Sequence, residues 1–185
     1  LMVCGVDRFG MAEAFEEVGA RLTLGDFIYT VGIPMPLHSL KTLKIAGRIA
    51  APFIVRMPFD KLYPTGAQQD VIIPKHSKYY YAADILAGDF NYIRRYLPDK
   101  LQGQIIITNT TTSDDMKMLK ERGISKVITT TPDMGGRSFG TNVIEALMVA
   151  IMKRPLDQIS PQEYYNMLKE LDMNPGVVDL EKMDA

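Results

Sequence analysis

The chain has 185 residues, of which 46% are hydrophobic and 23% charged, and its formal net charge is −1. These values are typical of a globular domain with a sizeable core. The even balance of charges argues against nucleic acid or an anionic membrane as partner. A single cysteine, Cys4, excludes an intrachain disulfide and a cysteine-based metal site, as expected of a cytoplasmic protein. His38 and His76 have no partner at metal-ligand spacing, so no metal is expected.

The first 27 residues predict a strand, a glycine-bearing turn, a helix and a second strand. LMVCGV is a short apolar run, DRFGMAEAFEEVGA has apolar residues at helical spacing, and RLTLGDF ends on Asp26. This order is typical of the opening of a dinucleotide-binding βαβ unit. The fingerprint of that unit is Gly-x-Gly-x-x-Gly, whereas the loop from Gly5 to Gly10 reads GVDRFG. Asp7 therefore replaces the middle glycine.

Asp7 has two interpretations, and the sequence leaves both open. The middle glycine normally lets the backbone approach a pyrophosphate at the helix N-terminus. If a dinucleotide still binds, Gly5, Asp7, Phe9 and Gly10 line its phosphates and Arg8 offsets the added charge. Alternatively, the Asp7 carboxylate is the N-cap of an ordinary helix and occupies the amide hydrogens that a phosphate needs.

The acid at position 26 has a matching role in the first interpretation. In the dinucleotide-binding unit an acid after the second strand binds the ribose hydroxyls. Asp26 fits this role, and an acid there favours NAD over NADP because it would repel a 2′-phosphate.

Strands and helices alternate through the rest of the chain. This alternation predicts an α/β fold, a Rossmann-like, doubly wound and mostly parallel sheet in three layers (α/β/α). Pro52 and Pro58 are expected to end the first downstream helix, whose Leu40, Leu43, Ile45 and Ile49 should face a core. We predict strands over 71–73, 83–88, 104–108 and 126–130, helices over 38–51, 75–82, 92–97, 113–122, 138–152 and 160–171, and a turn-rich segment, LYPTGAQQD, over 62–70.

The elements group into one main unit and an appendage. We expect a nucleotide-binding domain over 1–152, with a helical and loop excursion over 34–82, and a C-terminal helical extension over 153–185. Because the chain opens directly on a core strand, we also expect a further domain upstream. The apolar segment 49–59 is an alternative interaction surface, and its exposure would favour a homodimer. It is too short and too interrupted to span a bilayer.

Ligands of open parallel sheets bind at the carboxyl ends of the strands. The polar residues at these ends are candidate ligand contacts, although residues of these types also cap helices and close turns. Arg137 follows a Gly-Gly turn and precedes Ser138 at the predicted start of a helix, a place where arginine can clamp a carboxylate or phosphate. The candidates after the first two strands are Asp7, Arg8, Phe9 and Asp26, and those after the later strands are Asp89, Asn109, Thr110, Thr130 and Thr131.

Two long segments resemble the nucleotide-binding half of the shikimate and quinate dehydrogenases. The first is VCGVDRFGMAEAFEEVGARLTLGD. The second comprises IIITNTTTSDDMKMLKERG, KVITTTP, DMGGRS and FGTNVIEALMVAI. The IRRYLP, TNTTT and GRSF segments are most similar to bacterial proteins of the quinate dehydrogenase branch. Two features depart from the family: Asp7 replaces a glycine, and no residue matches the catalytic lysine and aspartate of its substrate domain.

The resemblance implies the cofactor-binding part of an NAD(P)-dependent oxidoreductase. Asn109, Thr110 and Thr131 would then lie near the nicotinamide ribose, while Asp89, Arg137 and Ser138 would contact substrate or another anion. Catalytic residues would belong to the upstream substrate domain. The alternative is a non-catalytic ligand-binding or regulatory domain that keeps the fold and has lost the cofactor.

Overall fold

A computed structural model describes residues 1–58, 66 and 71–183. It shows a mixed α/β protein built on a four-stranded, mostly parallel open sheet. The described residues also form a π-helical turn over Phe27–Val31 and a 3-10 turn over Leu156–Gln158. The helices are α1 (Phe9–Glu17), α2 (Leu40–Ile54), α3 (Lys78–Tyr81), α4 (Phe90–Arg95), α5 (Ser113–Glu121), α6 (Thr141–Met152) and α7 (Pro161–Glu170), and the strands are β1 (Ile85–Ala87), β2 (Ile105–Thr108), β3 (Lys126–Thr129) and β4 (Gly176–Asp179).

The strands lie in the order β1-β2-β3-β4, parallel except for the last, antiparallel pair. Isolated bridges extend this arrangement beyond β1. Met2 pairs in parallel with Ala87 on one side and with Leu24 on the other, and Leu24 pairs antiparallel with Leu37. The segments before β1 therefore follow one another outward, and the direction of strand order reverses between Met2 and β1.

The amino-terminal unit departs from the sequence prediction in two ways. The strands predicted in LMVCGV and RLTLGDF are present only as the bridges at Met2 and Leu24. α1 begins at Phe9, its N-cap is Arg8, and no side chain caps it by a hydrogen bond. The interpretation of Asp7 as the N-cap is therefore wrong. The Asp7 carboxylate pairs with the Arg8 side chain instead, at 3.3 Å.

α2 continues about one turn beyond its predicted C-terminal end, and two residues predicted to be buried are exposed. Pro52 lies inside the helix, and the backbone N–H of Val55 still donates to Ala51 at 3.0 Å, because a proline removes only its own amide from the helical pattern. Leu40 and Leu43 are buried, but Ile45 and Ile49 are 50% and 69% exposed. The prediction that both isoleucines face a core is wrong. A homodimer formed through the segment 49–59 stays a prediction.

The carboxyl-terminal part contains a strand that the sequence analysis missed. β4 pairs antiparallel with β3, and Leu180 just after it is fully buried. The segment 153–185 thus joins the sheet as well as carrying α7. Conversely, 71–73 forms no strand, although the Ile73 N–H donates to Arg95 at 2.7 Å. α6 begins at Thr141, three residues after its predicted start. The turn-rich segment predicted over 62–70 lies outside the described residues except for Gly66.

The sheet contributes side chains to two apolar clusters. Met2 and Ala87 belong to one cluster, and their chain neighbours Val3 and Leu86 belong to the other. This alternation is what the two-residue period of extended chain requires when both faces of a sheet are packed. In the described part of the chain, none of the helices has the length and apolar character needed to cross a membrane.

Candidate functional site

The loop before α1 is organised by the carboxylate of Asp26. One oxygen of this carboxylate accepts the N–H of Gly5 at 3.0 Å, and the other accepts the N–H of Val6 at 2.9 Å. The Cys4 thiol lies 3.6 Å from the same group, and burial raises the pKa of that thiol to about 12. Asp26 therefore fixes the glycine loop through the loop's own amides. It lines neither of the two clefts described below.

Arg8 joins the ends of the first segment and β1. Its Nη2 lies 2.9 Å from Oδ2 of Asp89, its Nε lies 3.3 Å from Asp7, and its Nη1 lies 3.5 Å from the hydroxyl of Thr141. Only 24% of the Arg8 side chain is exposed. Burial raises the pKa of Asp7, and the charges of Asp89 and Asp26 act in the same direction while Arg8 opposes them. The immediate surroundings of Arg8 are therefore rich in negative charge.

Asp89 and Asn109 connect the carboxyl ends of β1 and β2. Asp89 is buried and caps α4 by accepting the N–H of Asn91 at 3.0 Å. The amide nitrogen of Asn109 donates to Asp89 at 3.2 Å, and its amide oxygen accepts the N–H of Phe90 at 3.4 Å. Asp89 is thus held by Arg8, Asn91 and Asn109 together, and these contacts fix the position of its carboxylate.

A cleft of about 680 Å³ opens beside the start of α1, and we call it the first cleft. No atom lies within 4 Å of the position that a Cβ on Gly10 would occupy. In the dinucleotide fingerprint the third glycine permits close helix–strand packing; here the space beside it is open. The first cleft is lined by Asp7, Arg8, Phe9, Gly10, Met11, Ala14, Phe15, Val18, Ile107, Asn109, Thr130 and Thr141.

A second cleft of about 600 Å³ adjoins the first. The two share a wall formed by Arg8, Asn109 and Thr141. The second cleft is further lined by Asp89, Phe90, Asn91, Arg94, Thr110, Thr112, Asp115, Arg137, Phe139, Gly140, Asn142 and Val143.

The hydroxyl groups after β2 and β3 hold the loop that leads to α6. Ser138 is buried, and its hydroxyl donates to the carbonyl of Asn109 at 2.6 Å and accepts the N–H of Thr111 at 2.9 Å. Thr131 is also buried, and its hydroxyl donates to the carbonyl of Phe139 at 2.7 Å. Ser138 and Thr131 line neither cleft. Their hydroxyls are therefore engaged inside the protein.

Most of the predicted site residues meet at these two clefts. Thr141 is the principal contact that the sequence analysis missed, because the predicted helix start at Ser138 placed it inside a helix. The glycine-rich turn before Thr141 was the available signal that the helix begins later than Ser138. Asp7, Phe9, Gly10 and Thr130 line the first cleft, Asp89, Thr110 and Arg137 line the second, and Arg8 and Asn109 line both; Gly5, Asp26, Thr131 and Ser138 line neither.

The fold and the clefts define a mixed α/β protein with two adjoining clefts at the carboxyl ends of parallel strands, the first lined mainly by apolar side chains and the second by more polar ones. The chain belongs to the family described as a domain of unknown function (DUF8754), whose model matches residues 1–180. No curated protein and no solved structure matches it.

Proposed function

We propose that this chain is the cofactor-binding domain of an NAD(P)-dependent oxidoreductase of the quinate and shikimate dehydrogenase type. The observation that carries the proposal is the first cleft, which opens beside the uncapped start of α1 where the strand order reverses. In doubly wound α/β folds, ligands bind in the crevice at this reversal point. A volume of about 680 Å³ is within the range of small-molecule sites.

The strand order supports a Rossmann-like, three-layer interpretation of the fold. Counted along the chain, the paired segments at Leu37, Leu24 and Met2 are the third, second and first, and β1, β2 and β3 are the fourth, fifth and sixth. The order 3-2-1-4-5-6 is that of the dinucleotide-binding fold. Leu37 runs antiparallel to its neighbour, unlike the third strand of that fold.

The residues at the first cleft fit a dinucleotide in chemical type. The unbonded amides of the first turn of α1 and the guanidinium of Arg8 would hold the pyrophosphate, since helix N-termini and arginine both favour anions. Asn109 and Thr141 would contact the ribose near the nicotinamide. When bound, the nicotinamide would supply or accept the hydride, and this domain would orient it toward groups of a substrate domain.

Asp7 and Asp89 oppose the binding of a pyrophosphate, because both carboxylates already pair with Arg8. The raised pKa of Asp7 eases this opposition at lower pH, since the protonated carboxyl carries no charge. Binding should therefore tighten as the pH falls. The preference for NAD over NADP that Asp26 suggested stays a prediction, because the Asp26 carboxylate binds the amides of Gly5 and Val6 and lines neither cleft.

Titration calorimetry with NAD and NADP tests the proposal. Gly10→Leu should abolish the heat of binding, because its side chain extends into the open space of the first cleft. Gly47→Leu is the matched control: Gly47 also lies in a helix with no atom within 4 Å of its Cβ position, and it lines neither cleft. Wild type and Gly47→Leu should bind NAD. If neither NAD nor NADP gives heat with the wild type at millimolar concentration, the proposal is contradicted.

A second candidate function is a non-catalytic domain that keeps the fold without the cofactor. The observation that favours it is the Arg8 side chain, which is bound by the carboxylates of Asp7 and Asp89. In that case wild type shows no heat with NAD, and Asp7→Gly creates binding by removing one carboxylate. If wild type binds and Asp7→Gly weakens the interaction, this second candidate is eliminated.

A further inference from the structure

Counted over its lining residues alone, the second cleft has one more positive charge than negative charge; Asp7, which also pairs with Arg8, lines the first cleft. The second cleft is lined by three arginines and two aspartates. Arg8 pairs with Asp89 at 2.9 Å, and Arg94 lies 3.5 Å from Asp115. Arg137 has no ion pair with any residue in the described ranges. Its guanidinium is therefore the positive charge in this cleft that no described carboxylate neutralises through an ion pair.

The backbone that carries Arg137 is fixed on both sides. The carbonyl of Arg137 accepts the N–H of Met134 at 2.8 Å, and the N–H of Ser138 donates to Thr111 at 3.0 Å. Arg137 also forms an isolated antiparallel bridge with Thr112. A fixed backbone limits the places that the guanidinium can reach, so less conformational freedom is lost when it binds a partner.

Neutral hydrogen-bonding groups surround the same space. Thr110, Thr112 and Asn142 line the second cleft, and α6 begins there at Thr141 with no side chain that caps it. These groups suit the remaining oxygens of an oxyanion. The start of α6 adds a small partial positive charge, which acts in the same direction as Arg137.

We propose that the second cleft binds a small molecule through an anionic oxygen group, a carboxylate or a phosphate, with Arg137 as the main contact. The guanidinium presents two parallel donors to such a group. The volume of about 600 Å³ admits a small molecule. Anion binding here is independent of the cofactor proposal. If both hold, the shared wall of Arg8, Asn109 and Thr141 places this ligand directly beside the cofactor.

Amide chemical shifts measured by NMR at low ionic strength test this proposal, with inorganic phosphate in one titration and tartrate in another. Saturable shifts are expected at Thr110, Thr141 and Asn142. Arg137→Gln should weaken binding by about tenfold or more, the usual effect of losing charge-assisted hydrogen bonds. Arg56→Gln changes an exposed arginine just after the end of α2, outside both clefts, and should have no effect.

The two anions and one further variant separate the outcomes. Tighter binding of phosphate indicates a phosphorylated ligand, and tighter binding of tartrate indicates a carboxylic acid. Gly10→Leu obstructs the first cleft at the start of α1, so shifts that persist in this variant belong to the second cleft even if no cofactor binds. Equal affinity in wild type and Arg137→Gln, or shifts that never saturate, would overturn the proposal.

Discussion

The loop before α1 and the loop before α6 are held in place by different chemical groups. Each leads into a helix that lacks a side-chain cap. The first loop is held by a charged group, the carboxylate of Asp26, and its arginine, Arg8, is paired with two further carboxylates. The second is held by neutral hydroxyls such as those of Thr131 and Ser138, which leaves Arg137 without an ion pair in the described residues. The two loops therefore differ in the groups that hold them and in whether a described carboxylate pairs with their arginine.

Removing the carboxylate of Asp89 should have the largest effect on the first loop. Asp89→Ala leaves Arg8 with Asp7 alone, leaves the Asn109 amide without its acceptor and removes the cap of α4. We expect a loss of about 3 kcal/mol in the free energy of unfolding, measured by urea denaturation.

Asp99→Asn is the matched control for this variant. Asp99 also pairs with an arginine, Arg122, but 85% of its side chain is exposed. An exposed pair contributes about 0–1 kcal/mol, so the control should remain close to wild type. Equal losses in the two variants would show that the cluster around Arg8 does not stabilise the fold.

The second loop should depend on its two glycines. Gly135 and Gly136 both have positive φ, 75° and 85°, but only a Cβ on Gly136 would collide, at 2.6 Å from the Ser113 hydroxyl. Each substitution by alanine should cost about 1 kcal/mol for the left-handed conformation. Gly136→Ala should cost more than Gly135→Ala because of the contact with Ser113. Thermal unfolding of the two variants measures the difference, and identical values would contradict the described turn.

The smallest expected effect is the pH dependence that arises from Asp7. Its pKa in the folded protein is raised above the ordinary value of 3.8, so between these two values the folded state binds more protons than the unfolded state. Stability from this group therefore falls as the pH rises through that window. Asp7→Asn should be slightly more stable than wild type at pH 7 and equal to it below the window. Urea midpoints at pH 7 and 3.5 test this, and a variant less stable at pH 7 would contradict it.

The sequence predicted the positions of most strands, but not their lengths. The positions of β1, β2 and β3 follow from short apolar runs, and the candidate residues at their carboxyl ends meet because parallel strands end at one edge. The length of the first two strands could not be predicted, because their pairing is limited to isolated bridges at the single residues Met2 and Leu24. β4 was missed because Gly176–Asp179 offers only two apolar residues, and its pairing with β3 is decided by tertiary contacts.

The roles of individual polar residues depended on geometry that no pattern contains. An aspartate before a helix predicts an N-cap, yet Asp7 turns to Arg8 because that guanidinium lies within reach. Ser138 and Arg137 are neighbours with the same predicted role, but one is buried in a hydrogen-bond network and the other lines the second cleft. Spacing alone therefore predicted which residues meet at the site, but not which of them a ligand can contact.

A crystal structure of the chain grown with saturating NAD tests the central claim most directly. The account predicts density for the pyrophosphate in the space beside Gly10, at the start of α1, with the Arg8 guanidinium turned toward it and away from Asp89. Density for NAD at any other place, or an empty first cleft with the Arg8–Asp89 pair intact at a saturating concentration, would contradict it.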